Sequence, residues 1–291
     1  MIIGIDIGGT KISAALLNVT EIVEQRSAPS CVHGDLAQLL PTLETLLDGW
    51  LEHTRGIGVG STGLVGAADV HFLSAGPDKR LPLQRLLKQT FGKPVLLLND
   101  AWAAAWGEYR LGQHGDDSTL VFVTVSTGIG GGIIQNGQLV TIDHGFAAHI
   151  GHLSVARPGR EPVCCTCGRV NCIEALASGT AIGRRASALL GRTVGSMEVF
   201  DSLENQPQLQ DLAQDCATAI AEMIANIRAV TGTSIVVLGG SVGQNPHFRR
   251  LLDKAIQKLP ALYHVQVRPP ALGAHAGIFG AALALQDSLD G

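Results

Sequence analysis

The feature that most constrains the fold is a short unit that the sequence contains twice. An apolar run, Met1–Asp6, is followed by the glycine turn Gly8–Lys11 and by a second apolar run. The same order recurs after Leu120–Val125, where the turn reads STGIGGG and the run IIQNGQLV follows. Aligning Gly8 with Ser126 gives an offset of 126 − 8, or 118 residues. Each unit predicts a β-hairpin, and the repetition predicts two similar α/β domains.

Glycine is over-represented in a way that points to particular turns. The chain has 36 glycines in 291 residues, which is about one in eight against a usual ~7%. Three glycine turns follow apolar strands, and they read IDIGGTK, VSTGIGGG and VLGGSVG. Because glycine has no side chain, its backbone N–H group can approach an anion closely, and that anion is most often a phosphate. A single such turn is more often an ordinary hairpin or left-handed turn, but three together favour phosphate binding.

Charge and hydropathy exclude several classes of protein. The net charge of −4 argues against a nucleic-acid-binding protein, which needs a basic face. The N-terminus lacks the basic region of a signal peptide, and the longest apolar stretch, Ala276–Leu285, is too short to span a bilayer. We therefore expect a soluble cytoplasmic protein with neither nucleic-acid nor membrane partners.

The remaining pattern alternates strands and helices. Leucines recur at helical spacing from Leu36 to Leu51, with Pro41 inside, so that helix is expected to start or kink at the proline. The strand Gly56–Ser61 alternates glycine with apolar residues, which predicts close backbone approach. The buried strand Val95–Leu98 leads directly into an alanine-rich helix that Gly112 is expected to end.

Asp100 is the candidate catalytic base. It follows the strand Val95–Leu98 and opens a helix, and ligands of α/β sheets bind at the carboxyl ends of strands. A carboxylate there can accept a proton from a substrate hydroxyl. The alternative is an ordinary helix N-cap. Asn99 presents the same choice between a binding residue and a plain turn.

A cysteine cluster predicts a metal site. Cys165, Cys167 and Cys172 lie within a short loop, and His152 precedes them. Three thiolates and an imidazole are the ligand set of a closed structural zinc site, which has no open position for catalysis. The alternative is a set of reduced thiols, and Cys164 could take the place of Cys165 as a ligand. His149 and Glu174 flank the loop, and each alone is read as an ordinary polar residue.

Taken together, these motifs resemble the ROK family of sugar kinases and sugar-responsive repressors. The resemblance rests on DIGGTK at residues 6–11, ND at 99–100, STGIGGG at 126–132 and GH at 151–152, followed by CTCGRVNCIE at 165–174. It extends from residue 4 to about residue 280. It implies two actin/hexokinase-like (ribonuclease H-like) α/β domains with a cleft between them. The boundaries are then 1–117, joined by the last helix at about 274–291, and 118–273 with the inserted zinc loop.

The resemblance also implies a reaction and its residues. The reaction is ATP-dependent phosphorylation of the 6-hydroxyl of an N-acetylated hexosamine. The preferred substrate would be N-acetylmannosamine, and the reaction would be a step of sialic acid catabolism. ATP, Mg²⁺ and a structural Zn²⁺ are the implied cofactors, and a homodimer is the usual assembly. Asp100 would be the base. The implied sugar contacts are Gly63, Asn99, Asp100, His149, His152 and Glu174. The implied nucleotide and magnesium contacts are Asp6, Gly8, Gly9, Thr10, Lys11, Thr127, Gly128, Gly130, Gly131, Gly132, Gly239 and Gly240. The implied zinc ligands are His152, Cys165, Cys167 and Cys172.

Three departures from the family pattern bear on the substrate. Many ROK glucokinases carry Glu where this chain has His149, and that difference favours an N-acetylated sugar. Asn171 replaces the usual glycine before the last cysteine, which is a mild change. The segment Ser74–Arg80 lacks the common Pro-Asn pattern of the sugar loop. A glucokinase or fructokinase, a repressor without its DNA-binding domain and a silent sugar-binding module are the alternatives.

Overall fold

The protein contains two five-stranded mixed sheets of identical topology. A computed structural model describes residues 1–66, 68–72, 80–115, 119–141, 147–202 and 206–291. The first sheet has the order β3-β2-β1-β4-β8, with strands β1 (Ile2–Ile7), β2 (Lys11–Asn18), β3 (Glu21–Pro29), β4 (Ile57–Ser61) and β8 (Val95–Asn99). The second has the order β11-β10-β9-β12-β13, with strands β9 (Leu120–Val125), β10 (Ile129–Gln135), β11 (Gln138–Leu139), β12 (Ile235–Gly239) and β13 (Gln266–Arg268).

The predicted duplication is confirmed by the pairing of these strands. In each sheet the first three strands form an antiparallel meander, and the last two strands join it in parallel. The first strands of the two sheets begin at residues 2 and 120, so they are offset by 120 − 2, or 118 residues. A small sheet of β5 (Leu64–Val65), β6 (Val70–His71) and β7 (Arg80–Leu81) follows β4. The chain is therefore an α/β protein built from one repeated unit.

Nine helices cover these sheets in the described part of the chain. They are α1 (Leu39–Leu47), α2 (Leu83–Phe91), α3 (Asp100–Leu111), α4 (Ile173–Ala177), α5 (Gly179–Leu190), α6 (Ser196–Asp201), α7 (Pro207–Thr231), α8 (Pro246–Gln257) and α9 (Ala276–Asp290). None of them combines the length and the apolar character needed to cross a bilayer. The predicted end of α3 at Gly112 is confirmed, and Asn245 caps the start of α8.

The leucine-rich segment forms a shorter helix than its spacing predicts. Helix α1 begins at Leu39, so Pro41 lies in the first turn, where a missing N–H costs nothing. The helix ends at Leu47, because Gly49 adopts a left-handed φ of 78°. Short 3-10 turns cover Leu36–Gln38 and Leu51–His53. The apolar periodicity thus continues across two breaks in the helix.

Helix α9 returns to pack on the first sheet. Its apolar face, including Ile278 and Phe279, contacts Ile2 and Leu17. The backbone of Ala281 approaches Gly58 of β4 so closely that a Cβ there would overlap it. This confirms the close backbone approach predicted from the alternating glycines. Helix α3 packs on α9 on one side and on β10 on the other, so it contacts elements of both sheets.

Candidate active site

Two half-buried carboxylates, Asp6 of β1 and Asp100 directly after β8, lie close enough for their charges to interact. Burial, reinforced by the charge of Asp100, raises the pKa of Asp6 to about 7, although Lys11 acts in the opposite direction. Burial likewise raises the pKa of Asp100, against the hydrogen bond that its Oδ1 accepts from the backbone N–H of Ala101, 2.8 Å away. A carboxylate with a raised pKa is a better proton acceptor than an exposed one.

Asn99 takes the capping role that was the alternative for Asp100. Its side-chain oxygen accepts hydrogen bonds from the N–H groups of Ala101 and Trp102 at the start of α3. Its amide nitrogen lies 3.3 Å from the carbonyl oxygen of Gly63 and donates to it. The fold therefore brings Gly63, Asn99 and Asp100 together, and Asp100 is not needed to cap the helix.

The first glycine turn lies beside Asp6, between β1 and β2. The N–H of Gly8 donates to the carbonyl of Lys11, closing the turn over Gly9 and Thr10. The hydroxyl of Ser30 donates to the carbonyl of Gly8 across 2.7 Å. These two hydrogen bonds fix the turn, whose backbone follows the half-buried carboxylate of Asp6 in the chain.

The second glycine turn and the Gly239-Gly240 pair lie side by side. Ser126–Gly128 joins β9 to β10, and β12, which ends at Gly239, pairs in parallel with β9. Gly240 has a φ of 84° and packs on the backbone of Val125. These turns therefore lie at the carboxyl ends of neighbouring strands, where α/β proteins bind ligands.

Thr180 is a residue that sequence reasoning did not single out. Its N–H and its hydroxyl both donate to the carbonyl oxygen of Thr127, at 3.2 and 2.9 Å. Ser178 caps α5 just before it, so a helix start was readable from the sequence. The sequence carried no signal for the pairing with a turn 53 residues earlier.

Gly130, Gly131 and Gly132 lie inside strand β10 rather than in the turn. A Cβ on Gly130 would lie 3.1 Å from the Cβ of Ala101, and one on Gly132 would lie 2.5 Å from that of Ala105. A Cβ on Gly131 would meet Ile150 on the other face at 2.7 Å. Close packing of α3 and of Ile150 therefore accounts for the missing side chains, while a phosphate-binding role for these three glycines stays a prediction.

Glu174 connects the cysteine loop to the second glycine turn. It lies in the first turn of α4, two residues after Cys172, and its Oε2 accepts a hydrogen bond from the N–H of Ile129 at 3.1 Å. His149 and His152 stack with ring centroids 6.4 Å apart. Glu174 is thus hydrogen-bonded to the residue that follows the glycine turn, and the two histidines lie against each other. Residues 74–79 of the divergent segment Ser74–Arg80 lie outside the described residues.

His152, Cys165, Cys167 and Cys172 form one compact cluster. Their donor atoms all lie within 4.8 Å of one another. The sulfurs of Cys167 and Cys172 are 3.6 Å apart, and Nδ1 of His152 is 3.7 Å from the sulfur of Cys165. A tetrahedron with Zn–S bonds of about 2.3 Å has edges of about 3.8 Å, so the four donors fit zinc. Cys164 is exposed and lies outside the cluster, which favours Cys165 over it as the metal ligand.

The cysteine loop is fastened to α7 by a half-buried ion cluster. Asp215 accepts hydrogen bonds from Arg157 at 2.6 Å and from Arg185 of α5. Arg160 of the loop pairs with Asp211 one helical turn earlier, at 2.8 Å. Removing one partner of a largely buried ion pair leaves an uncompensated buried charge, so the pairs of Asp215 tie the loop to α5 and α7.

Comparison with known proteins agrees with this geometry. The sequence profile of the ROK family matches residues 2–288. The N-acetylmannosamine kinase of Vibrio cholerae is 34% identical over 288 residues, covering 98% of this chain and 99% of that protein. The N-acetylmannosamine kinase of Escherichia fergusonii is 37% identical over 293 residues, covering 98% of each.

Solved structures show the same fold. The ROK hexokinase of Thermus thermophilus superposes with a TM-score of 0.84 at 29% identity, over 100% of this chain and 99% of that one. A ROK family glucokinase from Streptomyces griseus, solved in complex with glucose and AMPPNP, superposes with a TM-score of 0.78 at 29% identity, over 97% and 98% of the two chains. The likeness therefore extends over the whole of both sheets.

Proposed function

The chain belongs to the ROK family, and we propose that it is an ATP-dependent kinase that phosphorylates the 6-hydroxyl of N-acetylmannosamine. The observation that carries the proposal is the position of Asp100. This half-buried carboxylate lies at the start of α3, close enough to Asp6 for the two charges to interact, and α3 packs on β10 of the second sheet. Relatives named N-acetylmannosamine kinase, 34% and 37% identical over nearly the full length, support the choice of sugar.

In this mechanism Asp100 accepts the proton of the 6-hydroxyl while the hydroxyl oxygen attacks the γ-phosphoryl group of ATP. Its raised pKa favours that transfer. The rate should fall as the pH decreases through the pKa of Asp100, because the protonated carboxyl cannot act as a base. Domain closure over the two substrates would complete the exclusion of water.

The glycine turns would bind the nucleotide. Gly8, Gly9, Thr10 and Lys11 form the first phosphate loop of the proposal, and Thr127 and Gly128 form the second. Gly239 and Gly240 would border the adenine. Bound Mg²⁺ would neutralise charge on the phosphates. Asp6 suits a position beside that cation, because a carboxylate whose pKa is raised to about 7 is stabilised in its charged form by a positive neighbour.

The sugar would lie between the two sheets, at the edges where their parallel strands end. Asn99 and Gly63, already hydrogen-bonded to each other, would contact its hydroxyls from the first sheet. Glu174, His149 and His152 would contact it from the second. Because His152 also belongs to the cysteine cluster, the metal would fix the orientation of a sugar-binding ring.

A sugar panel tests the proposed substrate. With ATP, we expect N-acetylmannosamine to give a kcat/KM at least about tenfold above those of N-acetylglucosamine, mannose, glucose and fructose, since unpaired polar groups in a sugar site penalise the wrong sugar. A coupled assay of ADP release measures this. A strong preference for glucose would overturn the argument from His149 and return the chain to the glucokinases.

The cluster of His152 and three cysteines would bind a structural zinc ion. Without a metal, burial and hydrogen bonds with Cys167 and Cys165 raise the pKa of Cys172 to about 12. Several thiols held this close are costly to ionise unless a cation neutralises them. All four ligand positions come from the protein, so the ion has a structural role.

Two neighbouring cysteines provide a matched test of the zinc site. Cys165→Ser should lose the metal and lower the melting temperature by about 5–10 °C, because binding free energy of the ion stabilises the fold. Cys164→Ser should keep about one zinc per chain, since Cys164 lies outside the cluster. Elemental analysis and thermal melts measure both effects. A zinc-free wild-type protein that is as stable and active as the untreated one would contradict the assignment.

We further propose domain boundaries of 1–117 with 274–291, and 118–273, together with a homodimer located in the cytoplasm. The boundaries follow the two sheets and the return of α9 to the first of them. The resemblance to ROK kinases supports the assembly. Sedimentation of the purified protein distinguishes a dimer from a monomer.

A further inference from the structure

Glu108 is a buried carboxylate for which neither the sugar site nor the phosphate site provides a role. It lies on α3, about two helical turns after Asp100, and it has no exposure to solvent. A buried carboxylate destabilises a fold unless hydrogen bonds or opposite charges compensate it. Its partners therefore indicate what it holds together.

Both oxygens of Glu108 bind groups from outside α3. Oε2 lies 2.6 Å from Nε2 of His114 and also accepts a hydrogen bond from the N–H of Ala271 at 2.9 Å. Oε1 accepts one from the N–H of Leu272, also at 2.9 Å. The guanidinium of Arg268 donates to the carbonyl oxygen of His114. Two chain segments are thus tied to one carboxylate and to each other.

These segments lead the chain from one sheet to the other. Residues 112–115 leave α3, which follows the last strand of the first sheet, and lead toward β9. Residues 269–275 leave β13, the last strand of the second sheet, and lead into α9, which packs on the first. Glu108 is 163 and 164 residues away from Ala271 and Leu272 in sequence. The outgoing and returning segments therefore meet at a single side chain.

On the basis of the kinase function proposed above, we propose that Glu108 is the pivot of domain closure. Two connecting segments can bend as a single hinge only if they bend at the same place, and charge-assisted hydrogen bonds to one rigid helix fix that place. Because α3 carries Asp100 at its other end, the pivot sets how the base meets the phosphate turn of the second sheet. Glu108 touches no substrate, so it is a positioning residue.

The variant Glu108→Gln tests the pivot while preserving the shape of the side chain. An amide offers one acceptor oxygen instead of two, so it must release either Leu272 or the pair of His114 and Ala271. We expect kcat for sugar phosphorylation to fall roughly 10–100-fold through misplacement of the base. We also expect ATP hydrolysis to rise relative to sugar phosphorylation, since incomplete closure would leave the γ-phosphoryl group open to water.

A second measurement separates a pivot from a merely stabilising contact. Small-angle X-ray scattering with an unreactive ATP analogue and sugar should show a decrease in the radius of gyration for the wild type and a smaller decrease for Glu108→Gln. Leu252→Ala, a buried change on α8 outside both segments, should lower stability yet retain the wild-type decrease. If Glu108→Gln does not fold, His114→Gln can replace it, because it removes one contact only. It is expected to reduce the ligand-induced compaction as well, but by less.

The proposal is overturned if the wild type does not become more compact with both ligands. It is also overturned if Glu108→Gln, or His114→Gln in its place, keeps the wild-type compaction and ratio of hydrolysis to phosphorylation while losing stability. Failure of the proposed function is a separate result. It would show as a wild-type protein that phosphorylates none of the five sugars, and the scattering comparison does not depend on turnover.

Discussion

Replacing Asp100 with asparagine is expected to lower kcat by roughly 10²-fold or more while sugar affinity stays close to that of the wild type. The amide has the shape of the carboxylate but cannot accept the proton of the 6-hydroxyl. Asn99 caps α3, and its contact with Gly63 should survive the change, so the sugar site keeps its form. Steady-state kinetics and titration calorimetry with the sugar measure the two quantities.

The same variant should be more stable than the wild type at neutral and alkaline pH. Burial raises the pKa of Asp100 in the folded state above its value in the unfolded chain. The folded state therefore holds the proton to a higher pH, and stability declines as the pH rises from the unfolded pKa, about 3.9, through the raised one. The amide of the variant does not titrate, so urea denaturation of ligand-free protein should favour Asp100→Asn at pH 8 and show a smaller difference near pH 4.

Asp253→Asn is the control for both readouts. Asp253 is an exposed aspartate on α8, outside every proposed site, and its loss should leave turnover and stability at pH 8 close to the wild-type values. Near-normal turnover in Asp100→Asn would remove Asp100 from the mechanism. Reduced turnover together with reduced stability at pH 8 would indicate a damaged fold instead of a missing base.

Much of this architecture could be predicted from the sequence because its signals are local. A strand, a glycine turn and a second strand are adjacent in the chain, so their repetition at 118 residues predicted both hairpins and the similarity of the two sheets. The position of Asp100 in the fold was predictable for the same reason, since it lies where strand β8 ends and helix α3 begins. The four metal ligands lie within 21 residues, from His152 to Cys172, and their spacing indicated the cluster.

Contacts between distant segments could not be predicted. Nothing near Glu108 in the sequence indicates partners more than 160 residues away. The glycines of β10 were assigned to phosphate binding by their proximity to the turn, whereas the approach of α3 becomes visible only in three dimensions. The choice between Cys164 and Cys165 likewise depended on which side of an extended loop faces His152, which the spacing of the cysteines leaves open.

Gly280→Ala is expected to destabilise the protein by about 3 kcal/mol or more, at the upper end of the cost of overpacking a core. The backbones of helices α3 and α9 are in direct contact at Gly280. A Cβ on Gly280 would overlap the carbonyl oxygen of Ala103 and would lie 2.8 Å from the backbone nitrogen of Gly107. Both obstacles are backbone atoms of a helix that also packs on β10, so no side chain can rotate away. The melting temperature should fall by roughly 6–12 °C.

Gly277→Ala, three residues earlier in the same helix, is the matched control. The nearest atoms to a Cβ there belong to Asp6, at 3.5–3.8 Å, which is ordinary van der Waals contact. Alanine is favoured over glycine within a helix by up to about 1 kcal/mol, so this variant should be as stable as the wild type or slightly more so. Urea denaturation of both variants measures the difference. If Gly280→Ala were as stable as Gly277→Ala, α3 and α9 could move apart at little cost. The interpretation that a rigid contact between these helices positions Asp100 would then be wrong.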